Sequence, residues 1–508
     1  MQLDGSKIEK YNSINKGITD VIIKNNGFSY EMFDPGYLHP KSKSDSEFSE
    51  LKVFNTKNLH DFFPSYDSVK PYIVVYKLKN ITGWYCSLSR YNTVEKNFNG
   101  GLMQPIYLDY AATTPCDPVV FEKMKPYFLE IYGNSNSFHV YGSKAQEGLY
   151  NARVQIAKDL NAEPKEVIFT SGASEASNIA ILRTIERTKC DFFTAKTQHA
   201  SVISIANNLQ SHGTNVHYLK VDHDGLLDLN VLEEELRKST KLSPSGLVSV
   251  CWVNNETGTM QDIKKISDLC HKYGSLIHVD GTQAFGRFHI DVKDLDIDFM
   301  SASGHKIYAP KGIGVLYCKS AVAKYLRIPR ANPDVEFGIR AGTVPVALCV
   351  GMAEASRIAQ TYIESELERL KLLRKEFIDT VKHNLEEIYV NGSPTYNYPG
   401  IINMSFRGCE GEALMMESPR IAISSGSACT SNKLTISHVL GAMGVDPDIA
   451  QSSLRITMGR PTTVDDIKIA TEDLTNATQK LRAMSPIWDM IKAGIDINST
   501  FKRGIFKK

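Results

Sequence analysis

From about Met103 onward the sequence predicts an α/β fold, a parallel sheet covered by helices on both faces, followed by a smaller α+β region. Three observations carry this expectation. Short β-rich runs alternate with helical segments, one long segment holds a single apolar face, and beyond Asn391 the alternation gives way to strand-like pieces mixed with further helices. With 508 residues and 42% hydrophobic content the chain can bury a full core and has room for more than one domain.

The elements are expected in this order. From Met1 to about Gly101 the chain is rich in Asn, Lys, Ser and Tyr, and its apolar residues follow no sustained period. Within it "YIVVYKL" (Tyr72 to Leu78), "KNITG" and "WYCSL" predict a strand, a turn and a strand, with the remainder irregular or disordered. The first thirty residues lack Arg and carry Asp4, Glu9 and Asp20, so an organelle-targeting peptide is not legible there. After Met103, "EVIFT", "GLVSVCWV" and "SLIHVD" read as strands and "GLYNARVQIAKDL" as a helix. From Ser365 to Ile388 a long helix is predicted by Leu370, Leu373, Phe377, Val381, Leu385 and Ile388 at three- and four-residue steps. Further on, "IINMSF" and "AISSG" read as strands. The expected division is an extension over residues 1–102, a large domain over 103–360 whose first segment contributes to the small domain, and a small domain over 361–508. No internal repeat is apparent.

Composition narrows the function. The formal charge of +1 comes from 58 basic and 57 acidic residues without a basic block, which argues against a nucleic-acid partner. Nine cysteines (Cys86, Cys116, Cys190, Cys251, Cys270, Cys318, Cys349, Cys409 and Cys429) form no C-x-x-C pair, so neither a disulfide framework nor a zinc knuckle is indicated. A reducing compartment fits this usage. The sequence lacks an apolar run long enough to cross a bilayer and a charged-then-apolar leader, so a membrane location and the usual secretory route are not expected.

Chemistry is concentrated in a few stretches. In "SGHKIYAPKGIG" (Ser303 to Gly314), Lys306 follows an apolar run and precedes a Gly-rich turn, a setting in which a desolvated amine serves as a nucleophile toward carbonyls. Alone, the pattern fits a surface lysine in a glycine loop. Upstream, "LIHVDGTQ" ends an apolar strand in Asp280, at the sheet edge where open α/β folds bind ligands. That carboxylate either caps the following turn or meets a cationic partner, and a pyridoxal phosphate ring nitrogen supplies such a partner. "EVIFTSGASEASN" (Glu166 to Asn178) reads as strand, glycine turn and helix start, which offers free backbone N–H groups at Ala173 and Ser174 to a phosphate or forms an ordinary serine-capped turn. Finally, "SSGSACTS" (Ser424 to Ser431) places Cys429 among small hydroxylated residues with no apolar anchor, unlike a packed thiol.

Together with "PIYLDYAATTPCDP", "KTQHASV", "VNNETG", "RAGTVPV" and "SSLRITMGR", these motifs occur in the order and rough spacing of the cysteine desulfurases, and the chain resembles that family over about Pro105 to Asp496. The resemblance implies a fold-type-I, class V aminotransferase-like pyridoxal phosphate enzyme whose large domain carries a mainly parallel seven-stranded sheet. It implies that Lys306 binds the cofactor covalently and later moves the proton at the substrate α-carbon, that Asp280 pairs with the ring nitrogen, and that His199 stacks on the ring as acid or base. Gln283 would bond the ring hydroxyl, with Asn255 near ring and substrate. Ala173, Ser174, Ser303 and His305 would hold the phosphate, joined by Thr343 from the second subunit of a homodimer. Arg455 would clamp the substrate carboxylate. Cys429, as thiolate, would take the sulfur of L-cysteine as a persulfide and release alanine, with protonated His199 as one cation that favours the thiolate. No metal is implied.

The form "SSGSACTS" is similar to the housekeeping group that feeds iron–sulfur cluster assembly, and "SPIWDMIKAGIDINS" (Ser485 to Ser499) resembles that group's scaffold-docking tail. That resemblance implies a scaffold protein as sulfur acceptor, a small LYR-motif protein and frataxin as partners, tRNA thiolation as a further destination for sulfur, and a mitochondrion or related organelle, with the cytoplasm as alternative. A selenocysteine lyase, a class V aminotransferase and a degenerate non-catalytic member stay open. Three departures stand out. The family's glycine cluster before its Arg-Ser-Gly-Thr motif is replaced by "RIPRANPDVEFGIRAGT" (Arg327 to Thr343), which puts the local loop path and phosphate binding through Thr343 in question. Pro419 interrupts the approach to the cysteine, and "NKLTISHVLGAMG" after it is atypical; altered loops with retained chemistry are expected.

Overall fold

The computed structural model describes residues 104–239, 244–328, 335–425 and 436–494, and the backbone of four strands ahead of them. The chain divides into two compact units, Met1–Leu102 and Met103–Lys508. In the first, β1 (Tyr30–Glu31), β2 (Phe48–Asn55), β3 (Tyr72–Leu78) and β4 (Tyr85–Ser89) form a sheet in the order β1-β4-β3-β2. The antiparallel β3/β4 pair corresponds to the strand, turn and strand expected from "YIVVYKL" to "WYCSL". The stretches of this unit expected to be irregular lie outside the described residues.

The second unit opens with β5 (Ile106–Tyr107). Its main sheet follows, from β6 (Val167–Thr170), β7 (Asp191–Ala195), β8 (Val216–Leu219), β9 (Gly246–Cys251), β10 (Leu276–Asp280), β11 (Phe299–Ser303) and β12 (Gly314–Cys318). These seven strands are ordered β6-β12-β11-β10-β9-β7-β8, and β12 alone among them runs antiparallel to its neighbours. Successive side chains of a strand point to opposite faces. Accordingly Val167, Phe169, Phe193, Val248, Val250, Val315 and Tyr317 enter one buried cluster, whereas Ile168, Phe192, Leu247, Leu316 and Cys318 enter a second one. Both faces are therefore covered, which is why these runs are apolar throughout instead of alternating. Each fully buried Phe or Ile contributes about 1.5–3 kcal/mol relative to exposure.

The long helix differs from its sequence expectation. It spans Val346–Asn384, beginning well before Ser365 and ending before Leu385. Its first half is buried on most sides, at Ala347, Cys349, Gly351, Met352, Ala353 and Ala355 among others, so no single apolar stripe marks it. Met124 packs closely on Gly351, where a β-carbon would come within 2.3 Å of Met124 Sδ and force that side chain to shift. At the other end Glu387 adopts a left-handed φ of 53°, which turns the chain out of the helix and into β13 (Ile388–Asn391).

The smaller antiparallel sheet has the order β13-β14-β17-β16, with β14 (Ile401–Phe406), β16 (Ser424–Ser425) and β17 (Ser453–Thr457). Just ahead of β16, β15 (Ile421–Ala422) pairs in parallel with β5. The next residue after β5, Leu108, accepts from Thr457 N at 2.7 Å and donates to Ala422 O at 2.9 Å. The start of the second unit is thus bonded to the small sheet, although it lies more than 300 residues away in sequence. Among the described residues no helix is long and apolar enough to cross a membrane.

Candidate active site

Strands β6, β7, β9, β10 and β11 run in the same direction, and their carboxyl ends meet at one edge of the main sheet, where ligands of open α/β folds bind. Past those ends come Ala173 and Ser174, His199, Asn255, Asp280 and Lys306. From the opposite side residues 109–113 and Arg455 of β17 reach in.

Lys306 closes a single 3₁₀ turn, Gly304–Lys306, immediately after β11. Its Nζ donates to Ala111 O at 2.7 Å and Ala112 O at 2.6 Å. Burial and then the cations Arg287 and Arg455 bring its pKa down from 10.5 to about 8. Charge on this amine is disfavoured by desolvation, and a neutral fraction exists near physiological pH. Gln283 shares the same anchor: its Nε2 donates to Ala111 O at 3.0 Å and its Oε1 accepts from Arg287 Nη1. Among the described residues one amide hydrogen of Gln283 has no acceptor.

Asp280 ends β10 and is only 5% exposed. Its Oδ1 accepts from Thr282 N and Thr282 Oγ1, so the turn-capping role is real, yet Oδ2 has no hydrogen bond among the described residues. One oxygen holds the turn and the other is left for a cationic partner. Two residues earlier on the same strand face, His278 is fully buried; burial drives its pKa down to about 4, its Nδ1 bonds Ser249 Oγ at 2.9 Å and its Nε2 is unpaired. His199 is the N-cap of the Ala200–Ser211 helix, with Nδ1 accepting from Ser201 N at 3.2 Å. That contact assigns the proton to Nε2. Burial lowers the pKa of His199, partly offset by Asp280. Desolvation thus disfavours the charged form of His199, and its Nε2 is placed as a donor.

The Ala173–Thr188 helix begins after Gly172 without a side-chain cap, so its first N–H groups are open to an anion. A β-carbon on Gly172 would sit 3.7 Å from Ser303 Oγ, which places Ser303 at this helix start. Gly314 permits the approach, since a β-carbon there would lie 2.5 Å from Gly172 Cα. His305 bonds Thr113 Oγ1 through Nδ1 at 3.1 Å, and burial followed by Lys306 and Lys311 lowers its pKa to about 4, so it acts as a neutral hydrogen-bonding group.

Arg455 is 8% exposed. Its Nη2 pairs with Asp109 Oδ1 at 2.7 Å, its Nη1 donates to Asn255 O at 3.2 Å, and its buried Nε has no partner. The Asn255 side chain makes no hydrogen bond among the described residues. Thr343 is exposed and bonds none of these groups. Cys429 lies outside the described residues. Reasoning from sequence overlooked Asp109, Ala111, Ala112, Arg287 and Glu256. Asp109 and the two alanines stand in the quoted "PIYLDYAATTPCDP", but a backbone carbonyl has no side-chain signature.

A pyridoxal phosphate group fits these residues: an amine of lowered pKa, a carboxylate with one free oxygen, a half-free amide, an imidazole Nε2–H, and an uncapped helix start beside Ser303 and His305. Comparisons with known proteins agree. The family described as Aminotransferase class-V matches residues 106–469. The chain is 44% identical over 400 residues to cysteine desulfurase IscS of Neisseria meningitidis serogroup C (strain 053442), covering 78% of this chain and 97% of that protein. It is 40% identical over 404 residues to the cysteine desulfurase of Homo sapiens, covering 79% and 87%. Among solved structures, a NifS-like protein aligns with a TM-score of 0.67 at 29% identity over 74% of this chain and all of that one. SspA in complex with cysteine aligns with a TM-score of 0.61 at 31% identity over 70% and 98%.

Proposed function

The chain belongs to the class-V aminotransferases and, within them, to the cysteine desulfurases, and from that premise we propose that it moves the sulfur of L-cysteine onto Cys429 and releases L-alanine. The observation that supports Cys429 is the state of the other thiols. Each of the seven cysteines among the described residues has its pKa raised, with burial as the largest cause. A raised pKa suppresses the nucleophilic thiolate. Of the remaining two, Cys86 and Cys429, only Cys429 stands within the family's motifs.

Pyridoxal phosphate, when bound, supplies an electron sink that weakens the substrate's carbon–sulfur bond. Lys306 would carry it and move the proton at the substrate α-carbon, for which an amine near neutrality is suited. Asp280 Oδ2 would hold the ring nitrogen protonated, Gln283 would bond the ring hydroxyl, and His199 would lie against the ring and donate from Nε2. The helix start at Ala173 and Ser174, with Ser303 and His305, would bind the phosphate. Arg455 would take the substrate carboxylate, with Asn255, whose carbonyl its Nη1 already holds, beside it. In the net step the carbon–sulfur bond breaks, the sulfur joins Cys429 as a persulfide, and the carbon it leaves takes up a proton. An external thiol reductant or an acceptor protein then removes that sulfur.

A homodimer is part of the reading. Phe121, Phe128, Leu129, Tyr132, Phe138 and Val140, close in sequence, are all more than half exposed, and apolar side chains left open in this way suit a subunit contact. Thr343, exposed here, would serve the partner's phosphate site. Resemblance to the housekeeping group supports an iron–sulfur scaffold protein as acceptor, with a LYR-motif protein and frataxin as associates, tRNA thiolation as a second sulfur destination, and a mitochondrion or related organelle as location. The test supplies L-cysteine and reductant and follows alanine together with protein-bound persulfide. Cys429→Ser is expected to lose both by about 100-fold or more, the scale for removal of an essential nucleophile. Alanine formed by Cys429→Ser as fast as by wild type would overturn the assignment.

A further inference from the structure

The helix start read as the phosphate cradle already carries a carboxylate of its own. Glu175, in the first turn of the Ala173–Thr188 helix, folds back past that end, where its Oε2 accepts from Ser171 N at 2.5 Å. Its other oxygen, Oε1, accepts from Arg340 Nε at 2.9 Å. The side chains are 31% and 19% exposed respectively, so water screens the pair only in part. Burial works to raise the pKa of Glu175, but the bonds from Ser171 and Arg340 outweigh it and keep the carboxyl ionised. Arg340 is held at this helix by its neighbour as well, since the carbonyl of Ile339 accepts from Arg183 Nη1 further along.

Without Arg340 the charges at this end would not balance. A phosphate monoester brings a charge of about −1.5 to −2 at pH 7, and ionised Glu175 adds another negative charge. Opposite them, the aligned peptides of the helix supply the equivalent of about half a positive charge. Ser303 is an uncharged hydroxyl, and His305, its pKa brought down to about 4 mainly by burial, is neutral near physiological pH. Two anions at one helix end repel each other, and partial burial strengthens that repulsion. We propose that Arg340 is a positioning residue for the cofactor phosphate, which it serves by pairing with Glu175 and cancelling the repulsion between that carboxylate and the phosphate. The inference rests on the reading of Ala173, Ser174, Ser303 and His305 as the phosphate cradle. Glu175 holds the turn at Ser171, and Arg340 lets it do so beside a second anion. The Arg327 to Thr343 segment, in which the family's glycine cluster is missing, thereby keeps a charged contact with the helix that begins the cradle.

The experiment titrates pyridoxal phosphate into the full-length protein stripped of cofactor and reads the dissociation constant from the absorbance of the bound form, with no turnover involved. Arg340→Gln, which keeps a polar side chain without the charge, is expected to weaken binding about tenfold, the scale of a partly buried charge at a helix end. Glu175→Gln alone keeps an acceptor for Ser171 N and removes the repulsion, so it should bind at least as tightly as wild type. Arg340→Gln/Glu175→Gln should then return to within about twofold of wild type. A pair that only staples two elements together predicts the opposite: each single substitution weakens binding and the double variant does not recover. Unchanged affinity in Arg340→Gln, weaker binding in Glu175→Gln, or no recovery in the double variant overturns the inference. If melting of the stripped protein shows that Arg340→Gln does not fold, the Glu175→Gln titration decides alone. Failure of the cradle reading shows separately, as wild type holding pyridoxal, which lacks the phosphate, as tightly as pyridoxal phosphate, and the inference falls with it.

Discussion

A single lysine shows how much the surroundings of a side chain decide. Lys306 is one of many lysines in the sequence, and burial together with Arg287 and Arg455 is what brings its amine to about 8. The consequence is measurable without any turnover. In cofactor-free protein, reductive methylation of Lys306 by formaldehyde, read by mass spectrometry, should rise with pH through a midpoint near 8, because the neutral amine is the reactive form and accumulates above the pKa. Exposed lysines should instead follow a midpoint of about 10.4. A Lys306 midpoint at the exposed value would contradict the buried setting described here. The reverse effect operates on the thiols, where burial raises every described cysteine and leaves the family's cysteine motif as the place for a reactive one.

At the scale of elements, the segment that departs from the family is the informative one. Residues 329–334 lie outside the described residues, but both of its flanks are secured. Ile328 N donates to Gly338 O at 2.8 Å, and Arg183 and Arg187 of the Ala173–Thr188 helix donate to carbonyls of Leu326, Ile339 and Arg327. Glu336 then turns inward. Its carboxylate is 3% exposed, forms a two-pronged pair with Arg153 at 2.6 and 3.1 Å, and accepts from Phe169 N at 2.7 Å. The Arg153 guanidinium sits between the rings of Phe169 and Phe337, at 5.0 and 4.9 Å. Both Glu336 and Phe337 take left-handed φ angles, of 43° and 57°, a strained backbone that this pairing holds in place. A buried ion pair thus ties this segment to Arg153 of the Val140–Asp159 helix and, through Phe169 N, to β6, which leads into the candidate phosphate cradle. Glu336→Ala strands Arg153 without its partner and should destabilise the protein by about 3–5 kcal/mol, as checked by the urea midpoint. A change below about 1 kcal/mol would mean that the pair does not anchor the segment.

For the whole molecule, the division into Met1–Leu102 and Met103–Lys508 carries its own prediction. Every group gathered at the candidate site, from Asp109 to Arg455, belongs to the second unit. A chain beginning at Met103 should therefore keep cofactor absorbance, alanine formation and melting temperature close to those of the full protein. A collapse of all three would show that the first unit is required for the fold of the second.

Much of this protein was legible in sequence because its decisive signals are local. Apolar strand runs, the glycine turn before Ala173, Asp280 at a strand end and Lys306 after another strand are each set by neighbours in the chain, and collinear motifs identify the family. The start of the long helix was not legible, because burial on most sides erases the periodicity by which a helix is recognised. Nor was the role of Asp109, Ala111, Glu256 or Glu336. Asp109 and Arg455 are paired across 346 positions and Glu256 and Ser437 across 181, and no local pattern records such meetings. Residue types and their order determined which chemistry the chain carries. Only tertiary structure decided the charge state of that chemistry and the partners that hold it, since desolvation and hydrogen bonding depend on what surrounds a group in space.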